Sequence, residues 1–296
     1  MSDIYDPPLK YCPLCSSGKI SFRYKITAYK DPFTVWRCGC CGFMFMNPRF
    51  TPEYLEQLYG DGYYTGKADY TYYDERADEK YSAYVWDSRI RKIKKFRSTG
   101  NFLDIGCSFG GFMKRASACF TAYGIDLSGY ASSKAAASFP GRVHTGTIHD
   151  LPFSGVKFSV ITMIELLEHE SDPVKALNEC CKLLDKGGLL VIQTANFNAL
   201  QAAMLKERYA YFMPGHLSYF SSANLKKALM EAGFSRVKIY YPVEFGLLPK
   251  LLKSRMNFKS IFDYRSWIRI SLYHLAGKIR FKDRAVMSSM VVYALK

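Results

Sequence analysis

Between residues 100 and 245, short apolar runs alternate with stretches whose apolar residues recur at helical spacing. Asn101–Ile105, Tyr123–Asp126, Val143–Thr145, Phe158–Met163 and Leu189–Thr194 have the length and β-rich content of buried strands. Arg236–Tyr241 and the terminal run Ser288–Ala294 add a sixth and a seventh. Asp172 followed by Pro173 predicts a helix start, a cap and then proline at the first helical position, with the helix running to Leu184. Leu225, Ala228, Leu229 and Ala232 share one helical face, behind a cap at Ser221 or Ser222 and before a stop at Gly233. Strands alternating with such helices predict a parallel sheet with crossover helices.

The flanks have other patterns. Residues 1–50 hold five of the nine cysteines and read as short strands and turns. Residues 51–99 are rich in tyrosine and charge, with a helix start at Thr51, Pro52 and Glu53. Residues 246–285 form a basic, amphipathic insertion before the last strand. The predicted domains are therefore 1–50, a linker at 51–99, and a large α/β domain over 100–296.

Composition narrows the classes. The 296 residues are 49% apolar, enough for a sizeable core. A formal charge of +15 suggests an anionic partner without choosing between nucleic acid, lipid surface and phosphorylated substrate. No apolar run approaches the roughly 20 residues that span a bilayer, and the first nine residues lack a signal-peptide pattern. Cysteines without a secretion signal predict a cytoplasmic protein, with paired cysteines serving as metal ligands.

Cys12 and Cys15 form one C-x-x-C knuckle; Cys38 and Cys41 form another, 22 residues on. Two thiolates from each of two tight turns complete a tetrahedral zinc site, a structural zinc ribbon with no open coordination position. Gly18 and Gly42 suit the bends, and Cys40 reads as a neighbour. A redox pair is the alternative, without a thioredoxin-like pattern around it.

The first strand runs into a glycine-rich turn, LDIGCSFG at residues 103–110, that opens a helix and aims backbone amides at a ligand. Asp126, 22 residues after Asp104, ends the second strand, where a carboxylate can accept two ribose hydroxyls. Nicotinamide enzymes share this logic. What separates them is Asp104 before the glycines, then GTIHDLPF at 146–153, FSVITMIELLEH at 158–169, and DKGG at 185–188 before the fifth strand.

In that order these motifs resemble the class I S-adenosylmethionine-dependent methyltransferases throughout residues 100–245. The resemblance implies a Rossmann-like seven-stranded methyltransferase sheet. It also implies a cofactor site of Asp104, Gly106, Ser108, Gly110, Asp126, Leu127, Thr147, Ile148 and Ile164. Two positions depart from the family: Ser108 replaces a common second glycine, and Thr147 replaces an aspartate that reaches the adenine amine. Weaker adenine selectivity is expected.

Methyl transfer to a hydroxyl needs a proton acceptor. Glu165, Glu168 and His169 are similar to the acidic-histidine motif of ubiquinone-pathway O-methyltransferases, which implies a divalent cation at these residues; otherwise Glu168 and His169 shape the loop beneath the cofactor. His216, after Pro214 and Gly215 on a loop beyond the fifth strand, reads as a general base or as a loop hydrogen-bonder. Tyr59, Tyr63, Tyr64, Tyr70, Tyr72 and Tyr73 suit a lid over a sulfonium or a packed helix–loop.

In the insertion, ten cations oppose Asp263 and Asp283, while Ile261, Tyr264, Ile268, Leu272 and Leu275 line one face. That face either meets an anionic membrane surface, making the protein peripheral to it, or caps the substrate pocket. The segment around His216 is similar to the family branch that acts on sugars, lipids and quinones, and this resemblance implies O-methylation of a small molecule, a sugar or lipid-linked glycan. The alternatives are a ribosomal-RNA methyltransferase, disfavoured by the second C-x-x-C and the lack of an RNA-reading module, and a non-catalytic interaction protein.

Overall fold

The computed structural model describes residues 4–58, 79–153, 155–281 and 284–296. In the first fifty residues, strands β1 (Ile20–Ile26), β2 (Phe33–Cys38) and β3 (Met44–Met46) form an antiparallel sheet. Helix α1 (Pro52–Leu58) follows, beginning at the proline. The tyrosines from Tyr59 to Tyr73, and with them the proposed lid, lie outside the described residues. Helix α2 (Glu79–Ile93) leads into the large domain and buries Val85, Trp86, Ile90 and Ile93.

The large domain opens with β4 (Asn101–Ile105), α3 (Gly111–Ala116), β5 (Thr121–Asp126), α4 (Gly129–Ser138) and β6 (Val143–Thr145). It continues with β7 (Phe158–Ile164), α5 (Pro173–Leu183), β8 (Leu184–Ala195) and α6 (Leu200–Leu205). After these come β9 (Ser218–Tyr219), α7 (Ser222–Glu231) and β10 (Arg236–Tyr240). The insertion carries α8 (Leu248–Ser254), α9 (Arg265–Lys278) and a small hairpin of β11 (Arg280–Phe281) and β12 (Arg284–Ala285). Strand β13 (Ser289–Leu295) ends the chain.

All seven predicted strands enter one sheet, in the order β10-β13-β8-β7-β4-β5-β6. The five from β4 to β8 are mutually parallel, and β13 inserts antiparallel between β8 and β10. From β4 the chain proceeds outward through β5 and β6, then crosses back to β7 and β8. The order reverses beside β4, and such a reversal opens a crevice at the carboxyl ends of the strands.

The helix ends follow their caps. The Asp172 carboxylate accepts the Lys175 N–H at 2.9 Å, and Pro173 occupies the first turn of α5. At α7, Ser221 rather than Ser222 is the cap: its hydroxyl accepts the Asn224 N–H, and the Asn224 side chain accepts the Ser221 N–H. Leu225 and Leu229 on this helix are fully buried, each burial contributing about 1.5–3 kcal/mol.

The N-terminal sheet is joined to the large domain. Its fourth strand is β9, supplied from beyond β8, with Met44 opposite Tyr219 and Phe45 opposite Ser218. Cys12, Cys38, Phe43 and Phe45 share a buried cluster with Ile161, Phe220 and Leu225. The insertion differs from a pocket cap, because Ile261, Tyr264, Ile268, Leu272 and Leu275 are all exposed. Among the described residues, no helix is long and apolar enough to cross a membrane.

Candidate active site and four-cysteine cluster

The two knuckles are near copies of each other. Ser16 N–H donates to the Cys12 carbonyl and Gly42 N–H to the Cys38 carbonyl, at 2.9 and 3.0 Å. Cys12 N–H reaches the Ser17 carbonyl, and Cys38 N–H the Phe43 carbonyl, both at 2.9 Å. The residue after the second cysteine is left-handed in each, Ser16 at φ 56° and Gly42 at φ 72°. Serine, not Gly18, therefore makes the first bend. The Sγ atoms of Cys12 and Cys41 lie 3.7 Å apart and those of Cys15 and Cys38 3.6 Å apart. A disulfide requires about 2.05 Å, whereas tetrahedral zinc with bonds of about 2.3 Å has ligand edges of roughly 3.8 Å. That spacing fits a four-thiolate metal site and excludes disulfides. Cys40 is exposed and contributes only its N–H, 3.3 Å from the Cys38 sulfur.

At the carboxyl end of β4 the backbone turns sharply. Gly106, Ser108 and Gly110 have φ of 77°, 47° and 78°. A Cβ at Gly106 would come within 3.0 Å of Leu166, so both sterics and conformation favour glycine there. Ser108 accepts the strained region that a glycine would occupy freely. Its N–H donates to one Asp126 carboxylate oxygen at 2.7 Å, and Ser128 N–H donates to the other at 2.9 Å. Asp126 thereby ties the turn to the end of β5 and keeps lone pairs for further donors. Asp104 is buried beneath the turn, its carboxylate accepting the Thr162 hydroxyl at 2.6 Å. Burial pushes its pKa up to about 7.

The other predicted cofactor residues are placed less uniformly. Ile148 is buried, Ile164 is half-buried at the end of β7, and Leu127 is 63% exposed. Thr147 caps a short helical turn by accepting the His149 N–H, and its hydroxyl donates to Asp150 at 2.7 Å. The Asp150 carboxylate is thus held beside Thr147. The GTIHDLPF motif contains this residue, but the predicted cofactor set did not.

Past β7, Glu168 (1% exposed) and His216 (3%) are buried, while His169 keeps a partly open edge. The two histidines read as separate candidates are in contact, with ring centroids 4.7 Å apart at 80°. His169 Nδ1 lies 2.8 Å from the Gly215 carbonyl, and His216 Nδ1 2.8 Å from the Tyr211 carbonyl. Since carbonyls only accept, each Nδ1 carries the proton, and in each ring Nε2 is the unprotonated nitrogen. Leu217 N–H donates to the Glu168 carbonyl, which docks the histidine loop on this turn. The Glu168 carboxylate oxygens have no hydrogen-bond partner among the described residues.

Electrostatics follow from this packing. Burial holds His169 down to about 4 and His216 well below the usual imidazole range. Burial, reinforced by Glu165, pushes Glu168 well up. Potential ligand atoms of Glu168, His169 and His216 lie within 4.8 Å of one another. Among the described residues, the grouping close enough to share a cation is therefore Glu168, His169 and His216, which differs from the expected Glu165, Glu168 and His169. Glu165, left-handed at φ 53°, instead accepts from Gln193, whose carbonyl oxygen takes Arg89, itself ion-paired with buried Glu244.

Comparison with known proteins decides the family. A family model described as a methyltransferase domain matches residues 73–239, more than half of the chain. The chain belongs to the class I S-adenosylmethionine-dependent methyltransferases. This methyltransferase is similar to the ubiquinone biosynthesis O-methyltransferase of Psychrobacter arcticus, 31% identical over 155 residues, 46% of this chain and 60% of that one. The corresponding enzyme of Cereibacter sphaeroides is 34% identical over 114 residues, 34% and 44% of the two chains. The chain thus spans at most 60% of these two relatives' length. Its fold is similar to phosphoethanolamine N-methyltransferase 2 of Haemonchus contortus, solved with S-adenosylmethionine, at TM-score 0.51 and 13% identity. That likeness covers 92% of this chain and 71% of the other.

Proposed function

We propose that this methyltransferase methylates a hydroxyl of a small molecule, a sugar or lipid-linked glycan, and that the Glu168–His169–His216 cluster receives the proton. The observation that carries the reading is the edge-on pair of histidines past β7, each with its Nδ1 proton tied to a carbonyl, so that both rings are held in the neutral, proton-accepting tautomer. The relatives named for O-methylation point the same way. S-adenosylmethionine supplies an electrophilic methyl group; as the acceptor oxygen bonds to that carbon and the sulfur–carbon bond breaks, the hydroxyl proton must leave. His169, the member with an open edge, is the group that meets the acceptor. His216 lies edge-on against its ring, and the Gly215 carbonyl holds its Nδ1. A divalent cation held by the same three residues would serve the same end, lowering the hydroxyl pKa instead of taking the proton directly.

In this reading Gly106, Ser108 and Gly110 let the backbone approach the cofactor, Asp126 takes the ribose hydroxyls, and Asp150 stands in for the acid missing at Thr147. Ile148, Ile164 and Leu127 offer apolar contact to the adenine. Residues 1–50 form a zinc ribbon bound to the catalytic domain, with Cys12, Cys15, Cys38 and Cys41 as ligands.

Two measurements test this. Methyl-labelled cofactor, offered with hydroxylated glycans, lipid-linked sugars and phenols beside a matched set of amines, should label an oxygen; labelling confined to amines rejects the reading. Asp126→Ala should weaken S-adenosylmethionine binding at least tenfold in calorimetry, because two charge-assisted hydrogen bonds of about 1.5–3 kcal/mol each are lost. Unchanged affinity in a folded variant would remove Asp126 from the site.

A further inference from the structure

We propose that helix α9 and the segment before it dock on the surface of an anionic phospholipid bilayer. Ile268, Leu272 and Leu275 recur at i, i+4 and i+7, within a roughly 60° arc at 3.6 residues per turn, and Ile279 follows at the extended residue that ends the helix. They are 64%, 62%, 56% and 58% exposed. Ile261 and Phe262, just before the helix, are exposed as well.

The opposite face of the helix is already engaged. Trp267 packs against the Phe258 and Tyr264 rings and donates to the Ser254 hydroxyl, and His274 and Gly277 are buried. Gly277 sits so close to Pro242 that a Cβ would come within 2.9 Å of it. The body therefore holds α9 by one side and leaves the apolar stripe outward. A contiguous exposed apolar stripe with a polar rim marks an interaction surface.

The charge beside the stripe chooses the occupant. Arg265, Arg269 and Lys278 flank it, and Lys259, Arg280 and Arg284 lie at its ends. Asp263, the insertion's one acid among the described residues, is taken up by the N–H groups of Lys259 and Ser260, both at 2.7 Å. An apolar stripe between rows of cations suits the headgroup–acyl boundary of an anionic membrane, where the stripe enters the acyl region and the cations meet phosphates. A second copy is a poorer fit. A twofold contact would bring the patch against itself and oppose like charges. RNA would engage the cations and leave the stripe in water.

The test is co-sedimentation of the full chain with vesicles of phosphatidylcholine alone or mixed with phosphatidylglycerol. Binding should be at least about tenfold stronger on the mixed vesicles and should weaken as salt rises. Ile268→Glu/Leu272→Glu and Arg265→Glu/Arg269→Glu should each lose at least tenfold. Cofactor affinity and melting temperature should hold in both, since these side chains point away from the body. Failure to bind either vesicle overturns the proposal. So does binding that Ile268→Glu/Leu272→Glu leaves intact, or a dimer in light scattering that this variant dissolves without any vesicle binding by the wild type.

Discussion

If the four cysteines hold zinc as proposed, replacing Cys38 and Cys41 with alanine should remove the metal and most of the stability. Elemental analysis of the wild type should find about one zinc per chain, and the double variant should contain none. The sulfur–sulfur distances of 3.6 and 3.7 Å fit a tetrahedral site and exclude disulfides. Burial, joined by the neighbouring Cys15 thiol, pushes Cys12 up to about 12, and a bound cation, which takes the thiolate form, would oppose that shift. The loss spreads because the knuckles anchor Phe43 and Phe45, which pack with Phe220 and Leu225 of the large domain, and because β3 pairs with β9. A destabilisation above about 4 kcal/mol, at the top of the range for substitutions, is expected. It would appear as a lower melting temperature and as early proteolysis of the first fifty residues. Zinc-free wild type, or a double variant with zinc and melting unchanged, would dispose of the site.

Period and punctuation made the catalytic sheet readable. All seven strands were visible as apolar runs, and the strand ends differ from expectation mainly where turns extend them, as in β8, which begins at Leu184 before the DKGG turn. The caps at Asp172 and Ser221 were local chemistry and needed no tertiary information. What stayed hidden depends on contacts across the chain. Nothing in Ser218 or Tyr219 announces that they complete the sheet that Ile20 begins, pairing with Met44 and Phe45. The insertion has a helical period, but a period does not say which side packs; Gly277 against Pro242 decides that, and it turns the apolar stripe to water.

The candidate site divides along the same line. Asp104, Gly106 and Asp126 were legible because strand ends and a glycine turn are consecutive in sequence, and the structure brings them together through Ser108 and Thr162. Thr147 stood out as a departure, yet the nearby carboxylate came from Asp150, through a hydrogen bond that sequence alone does not reveal. His169 and His216, 47 residues apart, were weighed against each other. The 4.7 Å contact of their rings makes them one unit.

His169→Ala should therefore lower turnover by about 100-fold or more, the usual scale of general-base catalysis, with S-adenosylmethionine affinity nearly unchanged. The pH profile gives a second handle. Burial depresses the His169 pKa from 6.5 to about 4, so the imidazole is neutral and able to accept a proton throughout pH 6–8. Turnover at saturating cofactor should stay flat across that range and fall only as acid approaches pH 4, where the ring protonates. An exposed histidine would instead give a limb near 6.5. Added imidazole should partly restore His169→Gly, whose cavity reaches the open edge. It should not restore His216→Gly, since that ring is 3% exposed and acts by holding His169 in place. Rescue of His216→Gly alone would return the base to that residue. Activity abolished by a chelator and restored by a divalent cation would move the chemistry to a metal on Glu168, His169 and His216. Normal turnover in a folded His169→Ala enzyme would end the proton-acceptor role.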